Sequence, residues 1–150
     1  MGRADVILGD NPHKSRYHPI AYLNTLALKN ASGAADLIIS RAGSSLFEIA
    51  AWGVPAILIP ITKTNGDHQR KNAFAYARAG ACSVVEESNM TPNILFSEIK
   101  RIMDNKDAYN KMVQNAKAFY KPHAAETIAR EIVNLALTHE KSLCLLKLCQ

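Results

Sequence analysis

The stretch ADLIISRAGSSLFEIAAWGVPAILIPITKTNGDHQRKNA, Ala35 to Ala73, decides the fold. Leu37 to Ile39 is an apolar run too short for a buried helix, and Gly43 closes it with a turn. Ser45 and Glu48 then stand in the S-x-x-E relation of a capping box, and the helix they open runs to Gly53. Pro55 restarts the chain, Ala56 to Ile59 reads as a second strand, and Pro60 ends it. Ile61 to Asp67 is a polar loop leading into a helix over His68–Ala79, which Gly80 stops. Cys82 to Val85 is a third strand. Strands alternating with helices at this spacing require right-handed crossovers and a parallel sheet. Two adjacent strand-to-helix turns then share the carboxyl edge of that sheet, where such folds hold nucleotides and sugars.

Before this stretch, residues 4 to 8 (ADVIL) suggest a short strand, and Asp10 to Arg16 a polar turn region. Helical spacing begins near Pro19, passes Leu23, Leu26 and Ala27, and breaks at Ser32 and Gly33. After it, Thr91-Pro92 is a cap and first-turn proline opening a helix with Leu95, Ile99, Ile102 and Met103 on one face. Met112, Ala116 and Phe119 mark a further helix, and Ile128, Ile132 and Leu135 the last. Three strands can be defended, with a fourth left open. A complete doubly wound domain carries about five or six, so the domain is expected to be incomplete at its N-terminal side.

Composition narrows the classes. The 150 residues are 48% hydrophobic and 21% charged, as in an ordinary globular domain with room for a core. No run approaches the ~20 apolar residues of a membrane span, and the N-terminus lacks the apolar centre of a secretory signal. The three cysteines, Cys82, Cys144 and Cys149, form no CxxC pair and fit a reduced cytosolic compartment. A net charge of +5 is spread without aromatic interleaving, which gives no support to a nucleic-acid partner. His13, His18, His123 and His139 have no metal-ligand spacing, so no metal is expected. GxGxxG, P-loop and G-x-S-x-G motifs are absent, which removes the signature parts of dehydrogenases, P-loop hydrolases and serine hydrolases.

Two constellations remain. In SRAGSSLFE, Gly43 permits unusual dihedrals or close approach, and the N–H groups of Ser44, Ser45 and Leu46 are expected to point free from a helix start that favours an anion. A diphosphate fits that description, and Glu48 offers two oxygens to neighbouring hydroxyls such as those of a ribose. The bland alternative is that Ser45 and Glu48 cap each other and Gly43 only turns the chain. Arg41 either binds phosphate or pairs with a surface carboxylate. In NGDHQRKNA, the side chains of Asp67, His68, Gln69 and Asn72 mix donors and acceptors suited to sugar hydroxyls. Against this, Asp67 is a ready N-cap, His68 a solvated surface residue, and Asn72 a tie for the preceding loop. Elsewhere packing suffices: Trp52 reads as a packing residue and Cys82 as a small core residue.

Together, ADLIISRAGSSLFEIAAWGVPAILIP and GDHQRKNA closely resemble the donor half of the MurG family, over about Tyr17 to Leu137. The resemblance implies an α/β, Rossmann-like parallel sheet with flanking helices, the C-terminal half of a GT-B glycosyltransferase. It divides the chain into an unassigned segment 1–16, a UDP-sugar-binding domain 17–138 and a tail 139–150. It implies that Glu48 holds the ribose hydroxyls, that Gly43, Ser44, Ser45 and Leu46 lie at the diphosphate, and that Gln69, with His68, reads the N-acetylglucosamine. Leu23 corresponds to a position bordering the uracil.

The implied activity is inverting transfer of N-acetylglucosamine from UDP-N-acetylglucosamine to the undecaprenyl-linked muramyl-pentapeptide, converting lipid I to lipid II in peptidoglycan synthesis. No cofactor is implied. The family's N-terminal acceptor half and its expected catalytic base have no counterpart in these residues. The chain is therefore expected to be a fragment or one part of a split enzyme, inactive alone and binding UDP-N-acetylglucosamine weakly or not at all by itself. Its full counterpart would work in the cytoplasm, peripheral to the inner face of the membrane. Two other readings stand beside this one: a non-catalytic donor subunit, and a UDP-sugar epimerase-like domain.

Overall fold

The computed structural model describes residues 9–61 and 65–148. The strand expected at residues 4–8 lies outside the described residues. The chain divides into two compact units, Met1–Ala35 and Asp36–Gln150.

In the first unit a single 3-10 turn, Lys14–Arg16, precedes helix α1, Thr25–Ala34. The helix starts later than the apolar spacing indicated. Asn24 marks the start: its Oδ1 accepts the Ala27 N–H at 2.8 Å, a side-chain cap that Pro19 cannot provide. Nor does the helix break at Ser32 and Gly33. Ser32 Oγ donates to the Lys29 carbonyl at 2.8 Å, which satisfies its hydroxyl within the helix.

The second unit alternates as expected. Strand β1 (Ile38–Ser40), α2 (Ser45–Trp52), β2 (Ala56–Leu58), α3 (His68–Arg78) and β3 (Cys82–Val84) are followed by α4 (Pro92–Met103), α5 (Lys106–Phe119) and α6 (Ala124–Leu148). The strands form one parallel sheet in the order β1-β2-β3, with Ile38, Ala56 and Cys82 in register. The ladder continues one residue past each strand end. Ile59 N–H donates to Ser40 O at 2.8 Å, and Val85 N–H to Leu58 O at 3.0 Å.

Strand β2 is central and wholly buried, so its alternating side chains supply two cores. Ala56 and Leu58 pack with Leu46, Ile49, Ala50, Ala73 and Tyr76 under α2 and α3. Ile57 and Ile59 pack with Val85, Ile102 and Met112 under α4. Helix α5 serves both, Ala116 in the first cluster and Met112 in the second. Full burial of each large aliphatic contributes roughly 1.5–3 kcal/mol. Trp52 packs against the first cluster, and Tyr76 meets Phe119 edge-on with ring centroids 4.9 Å apart.

Helix ends fix where the turns emerge. Gly53, at φ 67°, ends α2 in a left-handed conformation and donates its N–H to Ile49 O at 3.0 Å. Gly80, at φ 73°, does the same work after α3, and Asn115 Nδ2 of α5 reaches its carbonyl at 3.1 Å. Thr91 caps α4 as its sequence indicates, accepting the Ile94 N–H at 3.2 Å. Helix α4 is pinned to β3 by Glu98, which accepts Ser83 Oγ at 2.7 Å and Arg101 NH2 at 2.8 Å. The Arg101 guanidinium, with help from Ser83, holds the Glu98 carboxyl below its ordinary range.

Met103 is exposed rather than sharing the buried side of α4 with Ile102. Helix α6 runs unbroken past residue 138, with Ile128, Ile132 and Leu135 exposed. No described helix is long and apolar enough to cross a membrane.

Candidate functional site at the carboxyl edge of the sheet

The parallel strands deliver three turns to one edge: 41–44 after β1, residues 59–61 and 65–67 between β2 and α3, and 85–91 after β3. In the first, Ser44 occupies the N-cap position in helical conformation and makes no side-chain cap. The expected Ser45–Glu48 capping box is therefore not formed. Ser45 is already helical, and its Oγ lies 3.4 Å from Ser40 Oγ instead. Glu48 is exposed, with no hydrogen bond or ion pair among the described residues. The bland explanation of its carboxylate falls.

The amides of this turn divide. Leu46 N–H, expected to be free, donates to Gly43 O at 3.2 Å, and Phe47 N–H to Ser44 O at 3.1 Å. The tight first turn consumes them, and the Leu46 side chain is in the core. The Ser44 and Ser45 N–H groups have no partner among the described residues and remain available at the dipole's positive end. Gly43 is not left-handed, so no special dihedral demands glycine there. A Cβ built on it meets no atom within 4 Å. What glycine leaves is open space at its own Cβ position in this turn.

Arg41 is engaged. Its NH2 pairs with Glu87 at 2.6 Å, and its NH1 donates to Ile59 O at 3.1 Å. Of the two roles open to it, the structure displays the carboxylate pairing.

In the second turn Gly66 and Asp67 are both left-handed, at φ 82° and 55°. The Asp67 side chain makes no cap on α3, so the expected N-cap is absent: a residue in this conformation aims its carboxylate away from the helix amides. His68 is exposed, and its Nε2 lies where a Cβ on Gly66 would fall. Gln69 Oε1 accepts the Ile61 N–H at 3.2 Å, which leaves its amide NH2 as a donor. Asn72 Nδ2 reaches Ala42 O at 3.4 Å, so it ties α3 to the first turn rather than to the loop before it. That contact joins the two constellations across 30 residues.

Leu23 lies in the first unit, half-buried, immediately before the Asn24 cap. Among the described residues no cluster of three or more His, Cys, Asp or Glu side chains is placed to hold a metal. A cavity of about 710 Å³ lies elsewhere, walled by Phe47, Ala50, Ala79, Phe119, Pro122 and Ala125. Its mostly apolar wall offers no chemistry to the site.

Spacing alone missed two residues, Glu86 and Glu87, at the third turn. Glu86 accepts a hydrogen bond from Arg70 Nε at 3.0 Å, and Glu87 accepts one from Arg41 at 2.6 Å. The available signal was a pair of consecutive acids directly after a strand, at the edge where two arginines lacked partners.

The model of the glycosyltransferase family 28 C-terminal domain matches residues 9–128, most of the chain. The chain belongs to that family. The UDP-N-acetylglucosamine--N-acetylmuramyl-(pentapeptide) pyrophosphoryl-undecaprenol N-acetylglucosamine transferase of Acetivibrio thermocellus is 40% identical over 102 residues, 67% of this chain and 28% of the relative. The protein of the same name from Halothermothrix orenii is 36% identical over 130 residues, 85% of this chain and 34% of the relative. The crystal structure of Acinetobacter baumannii MurG superposes with a TM-score of 0.68 at 31% identity, covering 77% of this chain and 33% of that one. The MurG resemblance and the Rossmann-like architecture of the C-terminal half thus hold. The chain spans about a third of the length of these relatives.

Proposed function

We propose that this chain is the donor-binding part of a MurG-type transferase, which moves N-acetylglucosamine from UDP-N-acetylglucosamine to an undecaprenyl-linked muramyl-pentapeptide in peptidoglycan synthesis. The observation that carries the reading is the first turn: two unpaired amides, open space over Gly43 and an unpartnered carboxylate at Glu48, all at one helix start. In this reading Ser44 and Ser45 N–H hold the diphosphate, and Glu48 accepts the ribose hydroxyls. The Gln69 NH2 donates to the sugar, with Asn72 and His68 beside it. The donor-binding domain is taken as residues 17–138.

The chemistry follows from those placements. An acceptor hydroxyl, relieved of its proton by a general base, attacks the anomeric carbon with inversion. The bond to the β-phosphate oxygen breaks and UDP leaves with its new negative charge. Amides fixed at a helix start stabilise that charge without reorganising. This chain supplies donor binding and leaving-group stabilisation. The acceptor is held, and the base supplied, by the acceptor half of the assembled enzyme, which works peripherally at the inner membrane face. The relatives' shared name favours transfer over the epimerase reading.

An NMR titration of the chain with UDP tests this. Amide shifts at Ser44, Ser45 and Glu48 are expected to move with UDP concentration, and Glu48→Ala to weaken binding about tenfold, the loss of a charge-assisted hydrogen bond. Binding unchanged by Glu48→Ala would refute the ribose assignment.

A further inference from the structure

We propose that Glu86 and Glu87 are positioning residues of the donor site, each holding one of the two ligand-facing turns through an arginine. The inference rests on the donor reading above and assigns roles to a third turn that touches neither phosphate nor sugar in it.

The geometry is specific on both sides. Arg41, two residues before Gly43, directs NH2 to Glu87 Oε1 at 2.6 Å and NH1 to the Ile59 carbonyl at 3.1 Å. One guanidinium therefore fastens the start of the first turn to the end of β2 and to the third turn. Arg70, next to Gln69 in the first turn of α3, brings Nε to 3.0 Å and NH2 to 2.9 Å of Glu86 Oε1. Each contact includes a charge-assisted hydrogen bond, from Arg41 to Glu87 and from Arg70 Nε to Glu86, so both are directional as well as ionic. Arg41 thereby serves as a structural tie, with one N–H of each terminal nitrogen engaged.

The two ties serve different parts of the ligand. Glu87 through Arg41 sets the Gly43–Ser45 turn, on which UDP and UDP-N-acetylglucosamine both depend. Glu86 through Arg70 sets the turn that carries Gln69, on which only the sugar depends. Loss of Glu87 should weaken both ligands, and loss of Glu86 only the sugar nucleotide. Exposed ion pairs are modest, so each effect is expected to be roughly fivefold.

Two ligand-free reporters make the test decisive. The Ile61 N–H is bonded to Gln69 Oε1, and the Leu46 N–H to Gly43 O. Amide hydrogen exchange by NMR on the chain, on Glu86→Gln and on Glu87→Gln should show faster exchange at Ile61 in the former and at Leu46 in the latter. The double variant Arg70→Glu, Glu86→Arg should restore Ile61 protection. UDP and UDP-N-acetylglucosamine titrations of the same samples should show the split in affinities. Unchanged exchange at both reporters overturns the proposal whatever UDP does, and so does equal weakening of both ligands by Glu86→Gln. Exchange that responds in a chain whose amides ignore UDP overturns the donor reading instead, so the two failures are distinguishable.

Discussion

Gly43→Ala separates a glycine kept for folding from one kept for a ligand. The added methyl meets no atom within 4 Å, and the residue is not left-handed. Nothing in the folded chain resists it. Replacing glycine by alanine at such a position restricts the unfolded chain and stabilises by about 0.4–1 kcal/mol. For a domain of this size that raises Tm by roughly 1–4 °C. Binding should move the other way. The methyl projects into the open side of the turn that carries the Ser44 and Ser45 amides, which in the donor reading an anion must approach to about 2.9 Å. Displacing it from even one charge-assisted bond costs about 1.5–3 kcal/mol, a loss of some tenfold to hundredfold in affinity. Thermal unfolding by circular dichroism and UDP titration by NMR read the two effects on one sample. A variant that unfolds several degrees earlier shows that the turn itself needs glycine. A variant that binds UDP as the parent does shows that no phosphate sits over Gly43. Either result removes the physical basis of the diphosphate assignment.

Gly80→Ala should behave oppositely, because Gly80 is left-handed and its added Cβ would lie 2.6 Å from Asn115 Nδ2. A loss of about 1–2 kcal/mol in urea unfolding is expected from the backbone alone, and a neutral variant would contradict it. Tyr76 is fully buried with no hydrogen-bond partner for its hydroxyl among the described residues, and burial raises its pKa. Tyr76→Phe should therefore be neutral to stabilising by up to about 1 kcal/mol in the same assay, and a clear loss would reveal a partner. Glu98 has a depressed folded pKa, so its contribution is full above the unfolded value near 4.3 and lost as pH falls through the folded one. Stability measured from pH 5 to pH 3 should fall less steeply in Glu98→Gln, and parallel curves would count against the Glu98–Arg101 contact. The Cys82 thiol is buried and pushed up to about 12. It should resist iodoacetamide at pH 8 until urea unfolds the chain, and rapid labelling of the native protein would show the strand to be open.

The parts of the fold legible in sequence were those set by local chemistry. Gly53 and Gly80 end helices because left-handed caps demand glycine, and Thr91-Pro92 opens one because cap and first-turn proline act within four residues. The three strands emerged because each apolar run was too short for a helix. The errors share a cause as well. Pro19 and Asn24 competed as helix starts, and periodicity cannot weigh a side-chain cap against a permissive proline. Ser45-x-x-Glu48 matched a capping box one residue out of phase, since Ser44 took the N-cap position when the Leu46 N–H closed a turn onto Gly43 O.

That one-residue offset also carries functional weight. Had Ser45 capped the helix, Glu48 would have been satisfied by its own backbone and the motif would have explained itself. With the box unformed, an exposed carboxylate stands one turn into a helix and two amides stay unpaired ahead of it, all at the same end of α2. Folding gains little from this arrangement: an exposed Glu48 in the first turn adds only the modest dipole term, about 0.3–1 kcal/mol. A ligand with a diphosphate and a vicinal diol uses every element of it, whereas a bare phosphate uses only the amides. Comparing inorganic pyrophosphate with UDP against Glu48→Ala is thus informative. The substitution should leave pyrophosphate binding intact, or tighten it by removing a negative charge, while weakening UDP. Equal weakening of both would mean that Glu48 supports the turn and never touches a ribose.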